Sequence, residues 1–273
     1  MNRIATIIFI QIIYFSCFAQ GYYFVGARSN SLINASVCLV DGWAYHHNPG
    51  ALGLIKKAEI GVSYSSKYLL KDFQSQGVVY AHPLKRGVLS FGAQLYGLDA
   101  LKSERIGMGY SLKLVDKLSI GVQMNYQGLQ FGSNYGSKKS VTAEIGIYVD
   151  LTDKVKFGVS VFNLGRTRLA TFQNERMATL VRMGFSYHLS QKVLFLIETE
   201  KNIYYNLRLK GAFEYQPIKK FFFRGGIATQ PIEMAFGFGY RFKTLQMDLG
   251  SSYHQLIGWS PHISLTYKFE KEK

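Results

Sequence analysis

Cysteine and proline are scarce in this chain of 273 residues, which holds two Cys and five Pro. Cys17 lies in the apolar N-terminal stretch, so Cys38 is the one thiol beyond it and has no partner for an internal disulfide. The predicted role of Cys38 is a small apolar filler, with a free reactive thiol as the alternative. The scarcity of proline suits long strands, because proline cannot donate to a strand ladder.

Long apolar runs are also missing. After the N-terminal stretch, no run approaches the roughly 18 consecutive apolar residues that a membrane-spanning helix needs. A mean hydropathy of +0.01 likewise excludes a bundle of such helices.

The N-terminal stretch reads as a secretory signal over residues 1–19. Arg3 supplies the positive charge, residues 4–13 the apolar core, and residues 17–19 a cleavage site that places the cut before Gln20. A lipoprotein signal with Cys17 as the acylated residue is the alternative. Both interpretations imply export.

Residue patterns of catalysis and metal binding are missing too. His46 and His47 form the one close histidine pair, and neighbouring side chains of an extended chain point apart, so we expect solvent-facing polar residues rather than metal ligands. Ser186 and His188 share a face of one strand without a third member of a triad. The sequence therefore predicts no catalytic residue, no metal site and no cofactor.

Acidic residues number 17 against 32 Lys and Arg, which gives a net charge of +15. The basic residues are scattered through turns and polar strand faces, with no basic helix and no nucleic-acid-binding module, so no nucleic-acid partner is predicted. Solvated loops and internal salt bridges are the simplest interpretation. Contact with outer-membrane lipid or lipopolysaccharide, or with acidic cargo, is the alternative.

What the chain does contain is alternation of apolar and polar residues between Ala58 and the C-terminus. Side chains of a strand point to opposite faces with period two, so each strand has one apolar and one polar face. The pattern is clearest where five apolar residues, Leu118, Ile120, Val122, Met124 and Tyr126, interleave with Ser119, Gly121, Gln123, Asn125 and Gln127.

Turns separate these strands in two alternating sets. Six are short and usually carry Lys, at 83–87, 115–117, 151–154, 189–192, 217–220 and 242–244. Seven more variable connections lie between them, so about fourteen strands are expected. The predicted fold is all-β, an up-and-down antiparallel transmembrane β-barrel over residues 58–273; a globular β-sandwich is the alternative.

Charged residues within the predicted strands belong to the inner face, because a charge at mid-membrane on the lipid face costs roughly 2–4 kcal/mol. Mutually paired ions that rigidify the barrel and a path for substrate are the two interpretations. The predicted lumen-facing residues are Glu59, Glu144, Arg182, Arg208, Lys210, Glu214 and Arg224.

Residues 20–57 do not alternate in this way. The turn sequence at Asn48 and Pro49 predicts a short helix, with Asn48 as its N-cap and Pro49 at the first helical position. We expect this segment to be a plug or hatch in the periplasmic mouth or the lumen.

Three motifs of this segment resemble the start of PorV and PorQ proteins of Bacteroidetes and of the wider FadL-like group. The motif residues are Gly26, Ala27, Arg28, Asp41, Asn48 and Pro49. The resemblance implies a fourteen-stranded barrel in the outer membrane of a Gram-negative bacterium, with an N-terminal plug. Ile33-Asn34 and His46-His47 depart from the family pattern.

Two functions follow from the resemblance. Likeness to PorV and PorQ implies a non-enzymatic accessory or scaffold of protein export, type IX secretion-like, with secretion-machinery proteins as partners. Likeness to FadL implies passive transport of hydrophobic small molecules across the outer membrane. The export role is the preferred hypothesis, because the short external loops leave little material for a catch site at the outer mouth.

Overall fold

The protein was analysed as a computed structural model that describes residues 24–98, 101–132, 136–168 and 176–270. The predicted signal lies outside the described residues. The described chain contains two short α-helices, three short 3-10 turns and fourteen strands. None of its helices has the length and hydropathy that crossing a membrane would require.

The helices precede the strands, apart from two 3-10 turns between the first two strands. The helices are α1 (Ala27–Ser31) and α2 (Pro49–Leu52), and the 3-10 turns are Gly42–His46, Lys67–Leu69 and Lys71–Phe73. The strands are β1 (Glu59–Ser66), β2 (Gln74–Pro83), β3 (Val88–Tyr96), β4 (Leu101–Val115), β5 (Leu118–Phe131), β6 (Ser137–Asp150), β7 (Val155–Phe162), β8 (Leu180–His188), β9 (Val193–Asn202), β10 (Arg208–Ile218), β11 (Phe221–Ala228), β12 (Glu233–Phe242), β13 (Leu245–His254) and β14 (Gly258–Lys268).

The strands form one closed antiparallel barrel. Each pairs with the next along the chain, and β1 pairs with β14, with Glu59 opposite Lys268 and Val62 opposite Leu265. Closure leaves no unpaired sheet edge, which a sheet in hydrocarbon cannot tolerate. The predicted fold class and the count of fourteen strands are confirmed, and the six short turns all lie at one end of the barrel.

Burial is inverted relative to a water-soluble protein. On β5, Met124 is 62% exposed while its neighbour Asn125 is fully buried. Ile106 and Met108 on β4 and Phe238 on β12 are likewise more than half exposed. An apolar exterior around a polar interior is the arrangement that a barrel in a bilayer requires.

Aromatic side chains mark the end of the barrel that carries the short turns. Phe221 and Tyr240 pack side by side on β11 and β12 with ring centroids 5.0 Å apart. Tyr267 and Phe269 pack edge to face at the end of β14, also at 5.0 Å. Amphipathic rings at the depth of the lipid headgroups form the girdle of an outer-membrane barrel.

The N-terminal segment, residues 24–57, lies inside the barrel. Helix α1 packs against β12 and β13, and α2 packs against β5 and β6. The main hydrophobic core forms between this segment and the inner wall, with Trp43, Tyr45 and Leu52 on one side and residues such as Val79 and Tyr148 on the other. The lumen is therefore a packed interior.

Candidate functional site

The candidate functional site is the lumen, and side-chain caps shape the segment within it. The Asp41 carboxylate accepts a hydrogen bond from Trp43 N at 3.0 Å and begins the 3-10 turn. The Asn48 side chain accepts one from Gly50 N at 2.9 Å, with Pro49 as the first residue of α2. The predicted N-cap at Asn48 is therefore confirmed, and each cap satisfies a backbone donor that a short helix leaves open.

Gly26 is required by its backbone conformation. Its φ of +96° lies in the region that glycine adopts readily, and an added Cβ would lie 3.2 Å from the Trp43 ring. The next residue, Ala27, donates its N–H to Ser264 Oγ of β14 at 3.2 Å. The Gly-Ala pair therefore brings the start of α1 against the wall.

Asn48 also ties the segment to the opposite wall. Its Nδ2 donates to Val37 O at 2.7 Å and to Ile147 O of β6 at 3.0 Å. Gly146 leaves the necessary space, because a Cβ at that position would lie 2.0 Å from Asn48 Oδ1. Ser111 donates its Oγ–H to Pro49 O at 2.6 Å.

Arg28 joins α1 to the wall through an ion cluster, here named the Arg28 cluster. Its guanidinium lies 2.8 Å from both Asp41 Oδ2 and Glu214 Oε1. Arg224 continues the cluster, with Nε 2.6 Å from Glu214 and Nη1 2.7 Å from Asp248. Two cations alternate with three carboxylates, so each cation lies between two carboxylates.

A second ion cluster lies nearer the outer end of the barrel, here named the Arg182 cluster. Arg182 Nη2 and Lys210 Nζ lie 2.8 and 3.1 Å from the same oxygen, Glu198 Oε1. Lys210 also lies 2.5 Å from Glu200 Oε2. These side chains project inward from β8, β9 and β10, and all four residues are buried.

The Arg182 cluster holds the segment through the backbone. Glu198 Oε2 accepts hydrogen bonds from Ser36 N and Val37 N, both at 2.8 Å. Arg182 donates to Asn34 O at 2.8 Å and to His47 O at 3.1 Å. Charged groups of the wall thus satisfy backbone atoms of the irregular chain within the lumen, which would otherwise be buried without partners.

The remaining predicted lumen charges are also paired. Glu144 lies 2.8 Å from Arg105, and both are buried. Glu59 lies 2.7 Å from Lys268 and accepts a hydrogen bond from Gly42 N at 2.8 Å. Arg208 contacts Glu233 near the outer mouth. The structure thus places every predicted lumen charge in an ion pair.

The prediction that His46 and His47 face solvent is wrong. Both are completely buried, because this part of the chain is folded inside the barrel rather than extended outside it. Among the described residues, neither ring nitrogen of His47 has a hydrogen-bond partner. Burial, with the charge of nearby Arg105, lowers the pKa of His46 to about 3, and burial also lowers the pKa of His47 well below its usual value.

Two cavities lie on either side of the packed segment. The outer cavity, of about 460 Å³, is lined by residues including Phe24, Asn34 and Lys67. The periplasmic cavity, of about 260 Å³, is lined by residues including Arg241 and Lys268. The segment, the Arg28 cluster and the Arg182 cluster separate them, so the lumen is closed in this conformation.

Several residues of the site were missed by sequence reasoning. Glu198 and Glu200 are two positions apart on β9, and the alternation that placed other charges inside would have found them. Asp248 shares an inner face with Gln246 in the same way. Lys67 and Trp43 lie outside the strands, and no local pattern indicates where they point.

Comparison with known proteins gives a likeness of structure alone. No protein-family model matches the chain, and no curated protein matches it. Solved structures similar to it include the toluene transporter TbuX of Ralstonia pickettii, at 12% identity and a TM-score of 0.64, covering 91% of this chain and 99% of TbuX. A FadL homologue of Pseudomonas aeruginosa matches at 13% identity and a TM-score of 0.65, covering 90% of this chain and 98% of the homologue.

A mutant of TodX, described as a monoaromatic hydrocarbon channel, matches at 11% identity and a TM-score of 0.68, covering 93% of this chain and all of the mutant. The particular likeness to PorV and PorQ stays a prediction from the N-terminal motifs. With its apolar exterior and aromatic girdle, the chain is an outer-membrane β-barrel of the Gram-negative type, and its structural neighbours are FadL-like barrels.

Proposed function

We propose that this protein is a non-enzymatic barrel for passive passage of hydrophobic small molecules across the outer membrane. The observation that carries the proposal is a closed lumen with a cavity on each side of a packed N-terminal segment. A ligand held in the outer cavity is separated from the periplasmic cavity by the segment and by the two ion clusters that hold it. The similar structures described as toluene transporters support this choice over the export role.

Passage through the lumen requires the segment to move. The segment is attached by the hydrophobic core that it shares with the wall and by hydrogen bonds and ion pairs, none of them covalent. The polar contacts can exchange between partners. Buried ion pairs stabilise a protein little more than apolar packing of the same shape does. Unlike an apolar plug, however, they offer polar partners that can be exchanged. We infer that the polar seam between segment and wall permits rearrangement.

The experiment is a reversible lock on the segment. Ser31 of α1 faces Gly250 of β13, where an added Cβ would lie 3.2 Å from the Ser31 Cβ. To reach the roughly 3.5–4.5 Å of a disulfide, cysteines at both positions need the local backbone to shift, because the added Cβ would also lie 2.9 Å from Phe236 O. The variant carries Ser31→Cys, Gly250→Cys and Cys38→Ser, so that the native thiol takes no part.

Uptake of radiolabelled toluene is measured in vesicles that contain the purified full chain. We expect uptake above that of empty vesicles, its loss when the lock is oxidised, and its return on reduction. Ser31→Cys with Cys38→Ser, treated identically, is the control and should not respond to oxidation. Equal uptake by the oxidised and reduced lock would contradict passage through the lumen, and uptake no greater than that of empty vesicles would contradict the function itself.

A further inference from the structure

The outer cavity differs chemically from a purely apolar pocket. Aromatic walls are provided by Phe24, Tyr68 and Tyr205. The charged groups of the lining are Lys67, Arg208, Glu200 and Glu233. Ligand sites commonly combine an apolar lining with a few placed polar groups that orient the ligand. The charged groups therefore indicate what the ligand must carry besides an apolar body.

Among the described residues at and next to the cavity, one basic side chain has no ion-pair partner. Arg208 pairs with Glu233, and Lys210 pairs with Glu200. Arg182 pairs with Glu198. Lys67 forms no ion pair with any residue in the described part of the chain, although it lines the same cavity. The cavity lining and the adjoining Arg182 cluster together hold four cations and three carboxylates, and Lys67 is the cation left without an ion pair.

Lys67 is held over the cavity by its turn. The following residue, Tyr68, donates its N–H to Ser260 Oγ of β14 at 3.0 Å. The Tyr68 ring packs edge to face against His254, with centroids 5.9 Å apart. Tyr68 also has a φ of +57°, a conformation that is unfavourable for a non-glycine residue and persists where the surroundings enforce it. The turn is therefore built to present Lys67.

We propose that the outer cavity binds a small aromatic carboxylate, with its carboxylate on the Lys67 ammonium and its ring against Phe24 and Tyr68. The inference rests on the proposed function, because it names the substrate class of the same cavity. A monoanion cancels the one surplus charge, whereas a neutral hydrocarbon leaves the ammonium without a counter-ion and a dianion adds an unpaired negative charge. A volume of about 460 Å³ suits a ligand with a single ring.

The test measures binding of radiolabelled phenylacetate to the purified full chain in detergent by equilibrium dialysis. Benzyl alcohol is the neutral probe of similar size. Lys67→Met removes the charge and Lys67→Arg keeps it. Lys71→Met is the matched control, because Lys71 is exposed in the same connection and does not line the cavity. The shift of the folded barrel on an unheated gel checks that each variant folds.

We expect Lys67→Met to weaken phenylacetate binding about ten- to hundredfold, the range for a lost hydrogen bond to a charged group. Lys67→Arg and Lys71→Met should bind within about threefold of the wild type, well below the tenfold that corresponds to about 1.4 kcal/mol. Binding of benzyl alcohol should be weaker than that of phenylacetate and insensitive to Lys67. Equal phenylacetate affinity of the wild type and Lys67→Met would overturn the proposal, as would stronger binding of inorganic phosphate than of phenylacetate.

Failure of this inference and failure of the proposed function give different results. If phenylacetate binding does not depend on Lys67 while toluene uptake still responds to the Ser31–Gly250 lock, the substrate class is wrong and the passage function stands. If Lys67-dependent binding is found while no probe enters the vesicles, the site stands and passage fails.

Discussion

Arg28 of α1 and Glu214 of β10 are 186 positions apart along the chain and lie 2.8 Å apart in the lumen. This pair fastens the N-terminal segment to the barrel wall. Because Glu214 also contacts Arg224, Glu214 keeps one cationic partner when the segment moves away. The contact therefore stabilises the closed lumen without making its opening prohibitive.

Glu214→Gln should destabilise the protein by about 3 kcal/mol, the lower end of the range for breaking a buried ion pair, because Asp41 and Asp248 still pair with the two arginines. The measurement is the free energy of unfolding from a urea titration in detergent. Lys113→Met is the control, since the Lys113–Asp116 pair is fully exposed on the Asp116 side, and it should leave the titration unchanged. Equal changes in the free energy of unfolding for the two substitutions would contradict a stabilising role of the buried Arg28–Glu214 pair.

Gly237→Trp should displace α1, because a Cβ at this position already lies 2.1 Å from Ser31 Oγ. Gly239→Trp should disrupt the Arg28 cluster, as its Cβ would lie 2.6 Å from Asp248. Both variants are expected to fold poorly or to lose protease resistance of the segment. Gly211→Trp is the control, with nothing within 4 Å of its Cβ. Normal folding and unchanged uptake by Gly237→Trp would contradict the inward position of this face.

Mild acid should destabilise the barrel through His46 and His47. Burial lowers the pKa of both, so the unfolded chain takes up protons as the pH falls below about 6.5 while the folded chain does not. Stability is therefore full above this pH and decreases toward pH 5, before most carboxylates titrate. The measurement is the urea midpoint at pH 5 and pH 7.5 for the wild type and for His47→Gln, which should depend less on pH.

His188→Gln serves as the control for this comparison, because His188 is exposed on β8 and should not change the pH dependence. An equal urea midpoint at pH 5 and pH 7.5 in the wild type would contradict the prediction that the buried, neutral imidazoles make the barrel less stable in mild acid.

Cysteine labelling tests the orientation of the barrel. Cys38 is 6% exposed and should react with a bulky polyethylene-glycol maleimide only after unfolding. In a Cys38→Ser background, Leu256→Cys lies in the connection between β13 and β14 and should label on intact cells, since Leu256 is 88% exposed. Lys243→Cys, in the turn between β12 and β13, should label only after the outer membrane is opened. The reverse pattern would invert the assigned orientation.

Much of the fold follows from local patterns. Met124 and Asn125 are neighbours with opposite exposure because the strand repeat places successive side chains on opposite faces. The Lys-bearing turns fixed the strand number in the same local way. The cap at Asn48 was also predictable, because its donor Gly50 is two positions away. The burial of His46 and His47 was not predictable, because no local sequence pattern indicates that the barrel wall encloses these two residues.

Taken alone, the order of residues determined a barrel with an apolar exterior, because period-two alternation and turn chemistry act within a few positions. The tertiary structure alone decided which groups meet inside: Glu198 with the backbone of Ser36, 162 positions away, and Lys67 with the outer cavity. Such partners depend on how the wall closes around the segment, and strand closure brings together residues whose separation along the chain carries no signal of their contact.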